Sequence, residues 1–231
     1  RGSETVDEIR NNALAHFNAQ GRVVSKDDYM IRTLTMPAIY GSVAKVYTTQ
    51  DEKLNNTPES SRLKNPFAVC LYVLSYDHNK KLTKSNPATK ENIKNYLSPY
   101  RLLTDSITIK NAHIINIGLD FEIITLPGFN SNDILIKCIE KMKAVFHIDM
   151  WQINQPIILA DLYTDLASIM GVQSITNIEV FNLHNAQAGY SGNIYDIHQA
   201  TRNQVVYPSL DPSIFEIKYP NSNIKGRVTN I

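Results

Sequence analysis

The sequence predicts a mixed α/β (α+β) fold: two small sheet-plus-helix units with a β-rich C-terminal segment. Strand-like and helical stretches interleave through the first half. Residues 105–183 run strand, helix, helix, strand, and beyond residue 184 Asn, Gly, Tyr and Pro punctuate short strands. A sheet with helices on one face buries such a set of elements. The chain has 231 residues, enough for one large domain or two small ones and for a core of useful size. We place a first unit with N-terminal helices at residues 1–110. A second unit with C-terminal β hairpins follows at 111–231.

Residues 4–19 carry Val6, Ile9, Ala13, Leu14 and Phe17 at helical spacing, and Gly21 supplies a stop. Ser25 opens a second helix, with Asp28 three residues on in a capping-box-like start. Tyr29, Ile31 and Leu34 continue it, and Pro37 ends it or follows its end. Val43 to Thr49 alternates and is rich in β-branched residues, so it reads as a strand. Residues 50–66 are polar and read as a long loop. FAVCLYVLSY, residues 67–76, is nearly continuous in apolar residues and suits a strand covered on both faces. HNKKLTKSNP reads as a loop, and Thr89 to Leu97 as a short helix stopped by Pro99.

SITIK at 106–110 reads as a strand. In the next, Ile115, Ile117, Leu119, Phe121 and Ile123 share one face at period two. Pro127-Gly128 turns the chain, and Ser131 caps a helix reaching about His147. Its lining is Ile134, Leu135, Cys138, Ile139, Met142 and Val145. Ile157 to Met170 reads as another helix, with Leu159, Leu162, Tyr163, Leu166 and Ile169 inward and Gly171 as its stop. Ser174 to Leu183 returns as a strand. NIYDIH, QVVYP, IFEIKYP and IKGRV read as short strands, with Asn221-Ser222-Asn223 as a hairpin tip.

Charge narrows the function classes. Lys plus Arg is 23 and Asp plus Glu is 22, a net charge of +1, without the basic stripe of a free-standing nucleic-acid binder. A near-zero net charge gives little repulsion between copies and suits a protein that associates. Cys70 and Cys138 sit inside apolar runs and read as buried free thiols made in a reducing cytosol. No apolar run reaches membrane-spanning length, so no membrane partner is expected. The chain opens on Arg1 in a polar segment, which reads as a fragment or processed product of a longer protein.

No catalytic constellation emerges. GxGxxG, GxxxxGK[ST] and GxSxG are missing. GYSG at 189–192 lacks the spacing of a nucleophile elbow and precedes a strand-like segment, so Ser191 reads as structural. The six histidines stand apart, and His184 with His198 falls short of the three or four ligands a metal needs. Asp161 and Asp165 share a helix face and read as solvated. Lys137, Lys141 and Lys143 are interleaved with Glu140 and lack stacking aromatics. The expectation is therefore no enzyme, cofactor, metal, small-molecule substrate or nucleic-acid partner. Tyrosine is the informative excess, with twelve in the chain. Tyr190, Tyr195, Tyr207 and Tyr219 fit an interface, or cover a small local core.

Four stretches in order carry a family resemblance. Residues 19–48, AQGRVVSKDDYMIRTLTMPAIYGSVAKVYT, place Gly21, Arg22, Val23, Asp28, Tyr29, Pro37 and Val43 at motif positions. Residues 91–112 hold a helix ending in Leu, Pro and Arg before a strand. Residues 155–180 hold a helix closing on Gly171-Val172. VVYPSLDPSIFEIKYPNSNIKGRV follows near the C-terminus. Together they resemble baseplate wedge proteins of contractile-tailed phages, the baseplate J-like group. The chain is similar to the C-terminal part of the large inner-ring wedge subunits of T-even-like phages. The resemblance implies a structural subunit of the virion, assembled in the host cytoplasm. It further implies a homodimer that joins other wedge subunits and neighbouring wedges into an inner ring that rearranges on tail contraction. Two rivals from other classes are a small α/β hydrolase of phosphate or acyl esters and a single-stranded nucleic-acid-binding module. Ester turnover would revive the first and salt-sensitive binding the second.

Overall fold

The computed structural model describes residues 22–23, 25–50, 68–102 and 105–229. The helix expected at 4–19, Gly21 and most of the expected 50–66 loop lie outside them. The fold is mixed α/β, in two compact units that divide between Ala112 and His113.

In the first unit, helix α1 (Lys26–Leu34) starts at a complete capping box. The Asp28 amide donates to Ser25 Oγ at 3.1 Å, and the Ser25 amide donates to Asp28 Oδ2 at 2.8 Å. This satisfies two of the donors a helix start leaves open. Pro37 follows the helix end and opens a short 3₁₀ turn at Ala38–Tyr40. Strand β1 (Lys45–Gln50) pairs antiparallel with β2 (Ala68–Tyr76), and β4 (Ser106–Asn111) runs parallel to β2. Between β2 and β4 lie β3 (Leu82–Lys84) and helix α2 (Pro87–Leu97). The stretch read as a loop is thus a hairpin: Tyr76 pairs with Leu82, and Lys80 takes a positive φ in the turn. Leu82, apolar among polar neighbours, is buried. Helix α2 begins two residues before the expected start, because Asn86 caps it and Pro87 fits its first position. Val23, Tyr29, Val46, Leu71, Val73, Ile93 and Leu97 form the core.

The second unit is built on β5 (His113–Thr125), whose Ile115, Ile117, Leu119, Phe121 and Ile123 are all buried as the period-two pattern predicts. Helix α3 (Ser131–Val145) is capped by Asn130 and not by Ser131, since Asn130 Oδ1 takes the Asn132 amide at 3.1 Å. Ser131 Oγ instead lies 3.0 Å from Thr125 Oγ1. The helix expected from Ile157 opens as a strand, β6 (Ile157–Ile158), and only then continues as α4 (Leu159–Ala167). The β-branched pair is claimed by a later partner strand, a tertiary pairing that periodicity cannot register. Gly171 has φ +101°, and β7 (Val172–Asn182) then pairs antiparallel with β5.

The C-terminal region departs most from expectation. NIYDIH holds no strand; its end enters a one-turn helix, α5 (Ile197–Ala200), capped by Asp196. Strands β8 (Thr201–Arg202) and β9 (Val205–Val206) form a hairpin, with Asn203 and Gln204 both at positive φ, and β9 pairs with β6. The Asn221–Asn223 hairpin tip is overturned. β10 (Ser213–Glu216) and β11 (Ile224–Val228) both run parallel to β5, so no reversal separates them. Residues Pro220–Asn223 form the one-turn helix α6.

Candidate functional site

The residues at the resembling motif positions are placed as follows, each within its own unit. Arg22 is exposed, Asp28 completes the capping box, and Pro37 is exposed before its 3₁₀ turn. Tyr29 is buried, and its hydroxyl donates to Asp105 Oδ2 at 2.6 Å. Burial, and then the bond to the Asp105 carboxylate, push the Tyr29 pKa up, because both disfavour a second negative charge there. At Gly171, a Cβ would lie 2.5 Å from Ile134 Cδ1, so a side chain there has to push the end of Ile134 aside. The Leu126 amide donates to the Gly171 carbonyl at 2.9 Å, and Val172 starts β7 opposite Thr125.

The four C-terminal tyrosines form two pairs. Tyr190 meets Tyr219 edge-on at 5.6 Å between ring centres, and its hydroxyl donates to Asn223 Oδ1 at 2.9 Å. The Tyr195 hydroxyl donates to the Tyr207 carbonyl at 2.7 Å, and burial pushes the Tyr195 pKa up. Tyr207 is exposed, on a groove of about 870 Å³ shared with Ile194, Leu210, His113 and Arg202. Leu210 and Ile194 stand out from that groove at 107% and 79% exposure. A further row of rings lies in the first unit. Tyr40, Tyr96 and Tyr100 follow one another at 6.3 and 5.7 Å, and the Arg32 guanidinium sits 4.2 Å from the Tyr100 ring centre.

Sequence reading missed a polar network buried on the second face of β5. Asn116 is fully buried; its Nδ2 donates to Glu216 Oε2 at 2.8 Å and its Oδ1 accepts the Ser191 amide at 2.7 Å. The Ile114 carbonyl accepts from Ser191 Oγ at 2.7 Å and from Asn193 Nδ2 at 2.8 Å. These bonds pin the 189–195 segment onto the sheet. The only signal was Asn116 itself, a polar residue interrupting HIINIGL. Ser191 is thereby a clasp whose proton is committed to a backbone carbonyl.

The other groups weighed for chemistry do not converge. Asp165 pairs with Lys141 at 3.1 Å between α4 and α3, so the expectation of two solvated carboxylates holds only for Asp161. Lys143 Nζ donates to Asn221 Oδ1 at 2.7 Å. Both cysteines are buried free thiols, and burial pushes Cys138 up to about 11. Among the described residues, no group of three or more His, Cys, Asp or Glu is placed to hold a metal ion. Among them also, no helix is long and apolar enough to cross a membrane.

What the arrangement offers is surface: a tyrosine-lined groove, clasped loops and exposed apolar side chains. No family model matches the chain, and no curated protein matches it. Among solved structures, a chain in the cryo-EM structure of the anti-feeding prophage (AFP) baseplate, 6-fold symmetrised, has a similar fold. The TM-score is 0.50 at 13% identity, over 98% of this chain and 42% of that chain. The chain therefore spans less than half the length of the chain it matches.

Proposed function

We propose that this protein is a structural subunit of a phage-type tail baseplate. The observation that carries this reading is the fold likeness to an anti-feeding prophage baseplate chain over 98% of the present sequence. The ordered resemblance to wedge proteins supports the finer reading. On it, the chain is a wedge component that dimerises, contacts other wedge subunits and joins neighbouring wedges into an inner ring of the virion tail, after assembly in the host cytoplasm.

Physical features agree with such a role. A ring needs repeated contacts that close, and a near-neutral protein with exposed apolar side chains forms them without strong self-repulsion. Two separately cored units suit rearrangement by rigid-body motion on contraction, in which each core stays packed while contacts between subunits change. The buried clasps on Asn116 and Tyr29 hold loops in place within a unit, and leave its outer surface to make the contacts.

The test is composition. Purified tail particles are examined by mass spectrometry, and an antibody against this chain is located on them by electron microscopy. The expected result is a fixed stoichiometry and label at the baseplate end of the tail. Particles that assemble and contract without the chain sink the proposal.

A further inference from the structure

The second half of the β5 sheet turns one face to α3 and α4 and the other outward, and the outward face carries charge in columns. Residues directly opposite in register share a face. Asp120 pairs with Glu179 on β7 and with Lys225 on β11; Glu122 pairs with Asn177 and with Arg227. These six side chains line one recess of about 170 Å³. One row up the same face, the Phe181 ring lies over Gly118. The middle column is therefore acidic and the β11 column is basic.

Within one molecule this pattern is poorly satisfied. Asp120 and Glu179 are like charges directly opposite each other, which is destabilising in a sheet. Neither Asp120 nor Glu122 forms an ion pair with the adjacent Lys225 or Arg227. Asp120 Oδ1 is shielded from solvent and has no hydrogen-bond partner. A freely solvated face would pair its opposite charges across strands, or leave its carboxylates open to water.

We infer that this face is the contact between two copies of the chain, docked about a two-fold axis parallel to the strands and midway between β5 and β11. The identification follows from self-complementarity. Rotation about that axis lays each copy's acidic column over the other's basic column, offset by one strand spacing of about 4.8 Å. The positions along the strands are unchanged, so Asp120 meets Lys225 of the second copy and Glu122 meets its Arg227. Both pairs recur by symmetry, as an isologous contact requires. Glu179 moves to the rim, where water screens it. Charge here selects the partner and its register, as it does at interfaces generally. The inference rests on the homodimer reading above and assigns that dimer a surface.

The test uses sedimentation velocity on the full chain over a wide concentration range, with Trp151 emission confirming that each variant is folded. The variants are Asp120→Lys/Glu122→Lys and Lys225→Glu/Arg227→Glu. The expected result is a wild-type dimer weakened at least tenfold by about 1 M salt, where the screening length falls to about 3 Å. Each variant alone is expected to be monomeric, and an equimolar mixture to recover a one-to-one dimer. A wild-type dimer indifferent to both variants overturns this surface and leaves the homodimer standing. A mixture that stays monomeric overturns the docking register. A wild-type chain that is monomeric throughout overturns the surface and the homodimer together.

Discussion

The central strands of the two units are buried by different means. In β2, Cys70, Leu71, Tyr72, Val73 and Leu74 are buried in succession, so both faces are covered by apolar contact. In β5, one face is apolar from Ile115 to Ile123, while the other changes along the strand. Ile114 and Asn116 hold the clasped 189–195 segment and Gly118 lies under the Phe181 ring of β7; Asp120 and Glu122 open into a charged recess. The comparison teaches that burial on both faces can be reached from sequences that look unlike. An apolar run needs no specific partner. A buried asparagine needs Glu216 and Ser191 at the right distance and orientation, and so ties three remote segments to one geometry.

The difference can be broken from either side. Trp151 is the single tryptophan; it stacks on Phe146 at 5.3 Å and donates to the Val145 carbonyl at 2.9 Å, so its emission reports the second unit. Asn116→Leu should have the largest effect. It removes one donor from the buried Glu216 carboxylate and the acceptor of the Ser191 amide. The expected loss is about 3 kcal/mol or more, read as an early Trp151 transition in urea while the rest of the far-ultraviolet dichroism change stays in place.

Tyr29→Phe is the counterpart in the first unit and should cost about 1.5–3 kcal/mol, because a bond to a buried carboxylate is lost. It also carries a pH signature. The folded state holds the Tyr29 proton more tightly than the unfolded chain does, so stability is complete below the ordinary tyrosine pKa of about 10 and declines as pH rises above it. The variant should flatten that decline in denaturation series measured by dichroism. A slope unchanged by the substitution would assign it to other groups.

Gly171→Ala should cost about 1–3 kcal/mol, from positive-φ strain together with contact against Ile134, and should move only the tryptophan-reported transition. Lys141→Ala should be the mildest, about 0.2–1 kcal/mol, because its pair with Asp165 is half exposed and screened. A loss approaching that of Asn116→Leu would mean that surface charge between α3 and α4 matters as much as the buried clasp.

Where a signal was local, it was legible in the residues. The Ser25–Asp28 capping box, the period-two face of β5, the burial of Cys70 and Cys138 and the Gly171 stop each depend on neighbours within a few positions. Where partners were remote, it was not. Ile157–Ile158 reads as helix until Val205–Val206 claims it, and Asn221–Asn223 reads as a hairpin tip until β10 and β11 both align with β5. The tyrosines show both cases: their number was evident, but the sorting of Tyr190 with Tyr219 and of Tyr195 with Tyr207 depends on packing.

Sequence alone thus set the fold class and most element types, because period, caps and turn residues act through the nearest turn of chain. Motifs of fixed local spacing, such as GxGxxG and GxSxG, could likewise be sought in the residues alone. Tertiary structure assigned the clasp on Asn116, the columns of charge on β5 and β11, and the groove at Tyr207. Each of these joins residues tens of positions apart, and their encounter is fixed by strand register and core packing, which no short window of sequence contains.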